Sequence, residues 1–205
     1  MPDEQRVEEH LQEIRDERLT ELADLDEEIS TVYRELVEPR WQTDPRHFSR
    51  TLYAYVMATM SFVDLLSTYR YDDDSQTRRM ERFLVEYLGV VQESAALAVK
   101  LWRHTLMHTA NPQLLRDEAS GTRYRWLLHW GAQLPRAQHM TVTRAGRDER
   151  ILNVAISYVV HDLISAARRL FAEAAVSDAS RARLIAADAS IRSPRFYAET
   201  DPASP

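Results

Sequence analysis

The chain has 205 residues, 44% hydrophobic and 28% charged, a balance that fits one globular domain with a substantial core. It holds no cysteine, which excludes disulfides and thiolate metal sites. No apolar run approaches the roughly 18 residues needed to span a bilayer. The acidic opening MPDEQRVEEH lacks the apolar stretch of a signal peptide, so a cytoplasmic protein with no membrane partner is expected.

The net charge of −6 is unevenly spread. Residues 1–38 hold 14 acids against 4 arginines, a balance of −10, which leaves 18 acids (32 − 14) and 22 bases (26 − 4) elsewhere, a balance of +4. Only four glycines interrupt a chain rich in Ala, Leu, Arg and Glu, which predicts helices.

Val7 to Val37 reads as one long amphipathic helix. Leu22, Leu25, Ile29, Val32 and Leu36 follow heptad spacing, Val7, Leu11 and Ile14 begin the same stripe, and Arg18 interrupts it. Residues 1–40 are therefore expected to form an acidic helical arm that pairs with a second copy or with a protein partner. Glu38-Pro39 ends it. Asp44-Pro45 restarts the chain as N-cap and first helical residue, opening a helix to Tyr69 that carries a lone acid, Asp64, within SFVDLLSTY. Asp72-Asp73-Asp74-Ser75 caps a third helix, Gln76 to Leu88, and Gly89 closes it.

The next helix, ESAALAVKLWRHTLMH, ends at Asn111-Pro112 and carries Arg103, His104 and His108. Histidine titrates near neutral pH and can move protons. Arginine stays charged and offers a fork of donors to phosphoryl oxygens. On a straight helix five residues turn through roughly 500°, which leaves Arg103 and His108 about 140° apart. Either the helix deforms or two copies share one cleft. His104 and His108 also share a face at i and i+4, as zinc ligands do, but Thr105 stands where a zinc hydrolase carries its glutamate and no third ligand is evident. No metal or cofactor is expected.

Beyond this helix, Tyr124 to Trp130 and His139 to Thr143 read as two short strands, a β-hairpin inserted at about 122–146. Arg123, Arg125 and Trp126 interleave bases with an aromatic, a composition suited to single-stranded RNA, and Asn111 joins them as a candidate RNA contact. Arg123 and His129 are six apart, but an apolar strand is the wrong setting for a helical motif. Ile151 to Val176 reads as the most apolar helix, capped by Asn153, and Ser177 caps a short last helix to about Ala189. The Pro-rich tail 193–205 is expected to be loosely ordered.

Arg103-x4-His108 with a polar residue after the arginine, preceded by FVDLL and RFLVEYL and followed by ILNV and DLISAARRL, resembles the HEPN superfamily over roughly residues 45–175. The resemblance implies an all-α up-and-down bundle over residues 41–192, with Asp64 in the position of an aspartate that bacterial HEPN-like proteins tend to carry. It also implies a metal-independent endoribonuclease, a toxin or defence effector held in check by an antitoxin or other complex subunit. The site would be composite, built across a two-fold homodimer. Arg103 would stabilise the phosphorane, His108 would act as general base or acid, and His104 would position the phosphate. The alternative is a non-catalytic HEPN-like scaffold that binds a protein partner or nucleic acid through the heptad helix.

Overall fold

The computed structural model describes residues 2–40, 49–103, 115–131 and 133–192. Six α-helices lie among them: α1 Pro2–Val32, α2 Ser49–Arg70, α3 Gln76–Leu88, α4 Gln92–Leu101, α5 Ile156–Val176 and α6 Asp178–Arg192. Four strands stand between α4 and α5: β1 Leu115–Arg116, β2 Arg123–His129, β3 Thr141–Arg144 and β4 Glu149–Ala155. No described helix is long and apolar enough to cross a membrane.

α1 is not a free arm. It packs along α5 and touches α6, and Leu11, Ile14, Leu22 and Ile29 are buried in the common core. The stripe expected to meet another chain thus meets its own. The helix continues as a π-helical turn over Tyr33–Val37. A π turn inserts one extra residue per turn and rotates everything after it. The expected heptad position Leu36 is consequently 46% exposed, while Val37 is fully buried.

α3 follows its sequence signals. Ser75 Oγ accepts from the Arg78 backbone N–H at 3.4 Å, and Gly89 closes the helix in the left-handed conformation at φ 69°. The Val90 N–H then returns to the Leu84 carbonyl at 3.0 Å, satisfying a carbonyl left open at the helix end.

The mainly helical character expected of the chain is observed, but the hairpin expected at 122–146 is a four-stranded mixed sheet in the order β1-β2-β4-β3. β3 and β4 are antiparallel, and β4 lies parallel to β2 across seven paired residues, Arg123 with Glu149 through His129 with Ala155. The helix expected from Ile151 therefore starts at Ile156. ILNVA is a central strand with Ile151 to Ala155 all buried, and a short continuous apolar run reads alike as buried strand or buried helix. Asn153 does not cap a helix. Its amide donates across the ladder to the Thr141 carbonyl at 3.2 Å and to Thr143 Oγ1 at 3.1 Å.

Tyr124, Trp126 and Leu128 of β2 face the helical core. Just past β2, Trp130 is 1% exposed and packs edge-on to Tyr55 of α2 with centroids 5.8 Å apart. α4 lies against β2, β3 and β4.

Candidate functional site

α4 is buried along most of its length, with Ser94, Ala95, Leu97, Ala98, Val99 and Leu101 in the core. Its winding then widens into a π form at Trp102 and Arg103. The Trp102 N–H is shared between the Ala98 and Val99 carbonyls, and its indole is buried. This anchor leaves Arg103, the next residue, half-buried at the boundary of the core. The Arg103 Nη1 donates to Thr77 Oγ1 in the first turn of α3. Among the described residues no carboxylate pairs with it.

Asp64 of α2 reaches the same turn. It accepts from Gln76 Nε2 at 2.6 Å and lies 3.8 Å from Arg79 Nη2. The carboxylate of α2 and the guanidinium of α4 thus attach to adjacent residues, Gln76 and Thr77. Asp64 Oδ1 is buried and has no hydrogen-bond partner among the described residues. Farther along the turn, Arg78 and then the Ser75 N–H hold the Asp73 carboxyl down at about 2. A cleft of about 540 Å³ opens on the α6 side, with Asp73, Arg79 and Arg183 in its wall. Arg103 does not line it.

The remaining motif candidates His104 and His108, and Asn111 among the RNA candidates, lie outside the described residues. The other RNA candidates fall on β2 and separate by face. Arg123 is exposed. Arg125 is bound to Glu149 at 2.7 Å. Trp126 is 5% exposed and points into the core, so it has no free face on which a base could stack. Strand alternation explains the correction, because every second side chain of β2 faces the helices.

Two polar constellations form from residues the sequence scatters. Arg18, which interrupts the stripe of α1, is itself buried between α1, α2 and α6. Its Nε donates to Tyr69 Oη at 3.1 Å, its Nη1 donates to Glu21 at 2.7 and 2.8 Å, and its Nη2 lies 3.6 Å from Asp188. Tyr69 in turn donates to Asp188 at 2.7 Å, and Arg192 donates to the other Asp188 oxygen at 2.5 Å. Burial alone pushes the Asp188 carboxyl up, but the bonds from Tyr69 and Arg192 more than reverse this and hold it low. The signal for this network was Arg18 itself, a charge inside an apolar stripe.

The second constellation joins Arg136, His139 and Asp162. Arg136 is paired to Asp162, and His139 Nε2 stands 3.8 Å from the same carboxylate. His139 Nδ1 accepts the Ala155 N–H at 3.1 Å, which leaves the ring proton on Nε2. Burial, assisted by the Arg136 charge, pushes the imidazole down to about 4. With its only lone pair already engaged, His139 can act as a donor but not as a base or metal ligand. Among the described residues no group of three or more His, Asp or Glu side chains is arranged to hold a metal.

Comparison with models of known protein families, with curated proteins and with solved structures finds no match to this chain. Function is therefore read from the residues.

Proposed function

We propose that the chain is a HEPN-type metal-independent endoribonuclease that acts as a homodimer, of the kind that serves as a toxin or defence effector. The observation that carries this reading is the setting of Arg103. Its guanidinium meets a hydroxyl rather than a carboxylate among the described residues, and it stands where α4 departs from α-helical winding. π-Helical turns pair residue i with i+5, the spacing of Arg103 and His108, and such turns recur at functional sites. In the reaction His108 removes the 2′-hydroxyl proton, and the resulting oxygen attacks phosphorus. Arg103 stabilises the charge on the phosphorane, and the P–O5′ bond breaks. The leaving O5′ takes up a proton from solvent water, and a 2′,3′-cyclic phosphate remains. His104 positions the phosphate.

A second reading has one observation in its favour: the Arg103–Thr77 bond ties α4 to α3 and can be wholly structural. The protein is then a HEPN-like scaffold that binds a protein partner or nucleic acid without cutting. Incubation of the purified chain with mixed RNA in EDTA separates the two. The ribonuclease gives EDTA-resistant cleavage that Arg103→Ala and His108→Ala each reduce by about 10²–10³-fold, the scale of losing one charge-stabilising or proton-transferring group. Intact RNA throughout leaves the scaffold.

A further inference from the structure

A second pocket, apart from the cleft beside α6, lies where the start of β3 meets the turn between α3 and α4. It holds about 230 Å³, below the roughly 300 Å³ at which drug-sized sites begin, and so suits a single small ring system. Val90 and Val91 of the turn and Met140 beside β3 give it apolar walls, while Arg136, His139 and Asp162 supply its polar groups. Val91 is 64% exposed. Met140 holds a left-handed backbone at φ 53°, alone among the described residues other than glycine, and its N–H donates to the Asn153 carbonyl at 2.8 Å. Backbone strain of this kind persists only where the surroundings impose it, and it gathers at ligand clamps.

The His139 side chain is only 5% exposed. Its Nδ1 is taken by the Ala155 N–H, and its Nε2 has no hydrogen-bond partner among the described residues. A buried donor left unbonded is costly. Asp162 Oδ1 is paired with Arg136, and Oδ2 stands 3.8 Å from Nε2, beyond hydrogen-bond reach. A donor and an acceptor thus lie side by side without meeting. The charges around them cancel: one guanidinium, one carboxylate and a neutral imidazole. The complementary ligand is therefore uncharged and presents an acceptor and a donor on one edge. A trans peptide cannot do so, because its C=O and N–H point in opposite directions. A lactam ring can, since closing the ring turns both groups to the same side.

We infer that this pocket binds a nucleobase with a lactam edge, guanine or uracil, whose ring carbonyl accepts from His139 Nε2 and whose ring N–H donates to Asp162 Oδ2. The flat ring lies against Val91 and Met140. A modest turn of the Asp162 carboxylate, which no bond to His139 opposes, opens Nε2 to the incoming edge. Adenine and cytosine offer an exocyclic amine in place of the lactam N–H, a weaker donor to a carboxylate. The pocket opens at the start of α4, whereas Arg103 stands past its end, so the inference does not depend on the ribonuclease reading. A free nucleoside and a base within an RNA strand present the same edge, and the test separates them.

The test is calorimetric titration of the full, unsubstituted chain with guanosine, uridine, adenosine and cytidine, and with guanosine and uridine methylated on the lactam nitrogen. Guanosine or uridine is expected to bind, and methylation to weaken it at least about tenfold, the scale of losing a hydrogen bond to a charged group. Asp162→Ala is expected to weaken the same nucleoside about tenfold or more and, by freeing Arg136, to admit benzoate, which the unsubstituted chain does not bind. Val91→Ser, which removes part of the apolar wall at a helix N-cap position that serine suits, is expected to weaken it roughly threefold and covers the case in which Asp162→Ala does not fold. Failure of both guanosine and uridine to bind overturns the pocket. So does binding that is indifferent to methylation, equal binding of all four nucleosides, or benzoate bound as tightly by the unsubstituted chain. A 2′-O-methyl oligonucleotide of the favoured base, which cannot be cut, identifies the source: tighter binding than the nucleoside assigns the pocket to a base of an RNA strand, and equal binding assigns it to a free nucleoside. Nucleoside binding by a chain that cleaves no RNA sinks the ribonuclease and leaves the pocket standing.

Discussion

Asp188 illustrates what single side chains do in this core. It is fully buried, and its carboxylate balances Arg18, only 9% exposed, and Arg192. Asp188→Ala removes the acceptor of the buried Tyr69 hydroxyl and one partner of Arg18, whose guanidinium keeps Glu21, and is expected to cost about 2 kcal/mol in urea unfolding. Tyr69→Phe removes one donor and one acceptor and is expected to cost about 1–2 kcal/mol. His139 sets the pH response. Its folded pKa, about 4, lies below the ordinary 6.5, so the unfolded chain binds more protons between those values and stability rises with pH across them. The contribution is complete above about pH 6.5 and is lost as pH falls toward 4. Unfolding free energy is expected to drop by about 2 kcal/mol between pH 7 and 4.5, and His139→Gln to flatten most of that slope. His129, also lowered by burial, supplies the remainder. Asp73 and Asp188 titrate below this window.

At the scale of the element, the π turn of α1 decides which of two neighbours is structural. Val37→Ala is expected to cost about 2 kcal/mol, while Leu36→Ala stays within about 0.5 kcal/mol. Thermal melting checks both, and heptad counting predicts the reverse. What the sequence disclosed follows the same lines. Caps and stops were legible because their chemistry is local: Ser75 and Gly89 bound α3 where the residues say they should. The start of α5 was not, since β4 is a strand only because β2 and β3 pair with it, and pairing partners leave no mark on an apolar run. The π turn was hidden for a related reason, because one inserted residue changes the phase of a stripe without changing its composition. Of the candidate site, the motif arginine was found from spacing, whereas its contact with Thr77 and the arrival of Asp64 at the same turn depend on how three helices meet.

For the whole molecule, the ribonuclease reading requires two copies. Light scattering is expected to give twice 23.8 kDa. Mixing Arg103→Ala with His108→Ala chains is expected to restore part of the activity if one intact site assembles from two different subunits. A single-chain mass, or no rescue on mixing, removes the shared cleft. Such a dimer would not be joined through the stripe of α1, because Leu11, Ile14, Leu22 and Ile29 are buried within the chain.

The same packing has a consequence for biogenesis. α1 leaves the ribosome well before α5, the element that covers it, which begins at Ile156. At about 5–20 residues per second, well over a hundred residues of intervening chain take roughly ten seconds to synthesise. Throughout that interval α1 presents an unsheltered apolar seam, and the net charge of −10 over residues 1–38 is expected to make such nascent helices repel one another.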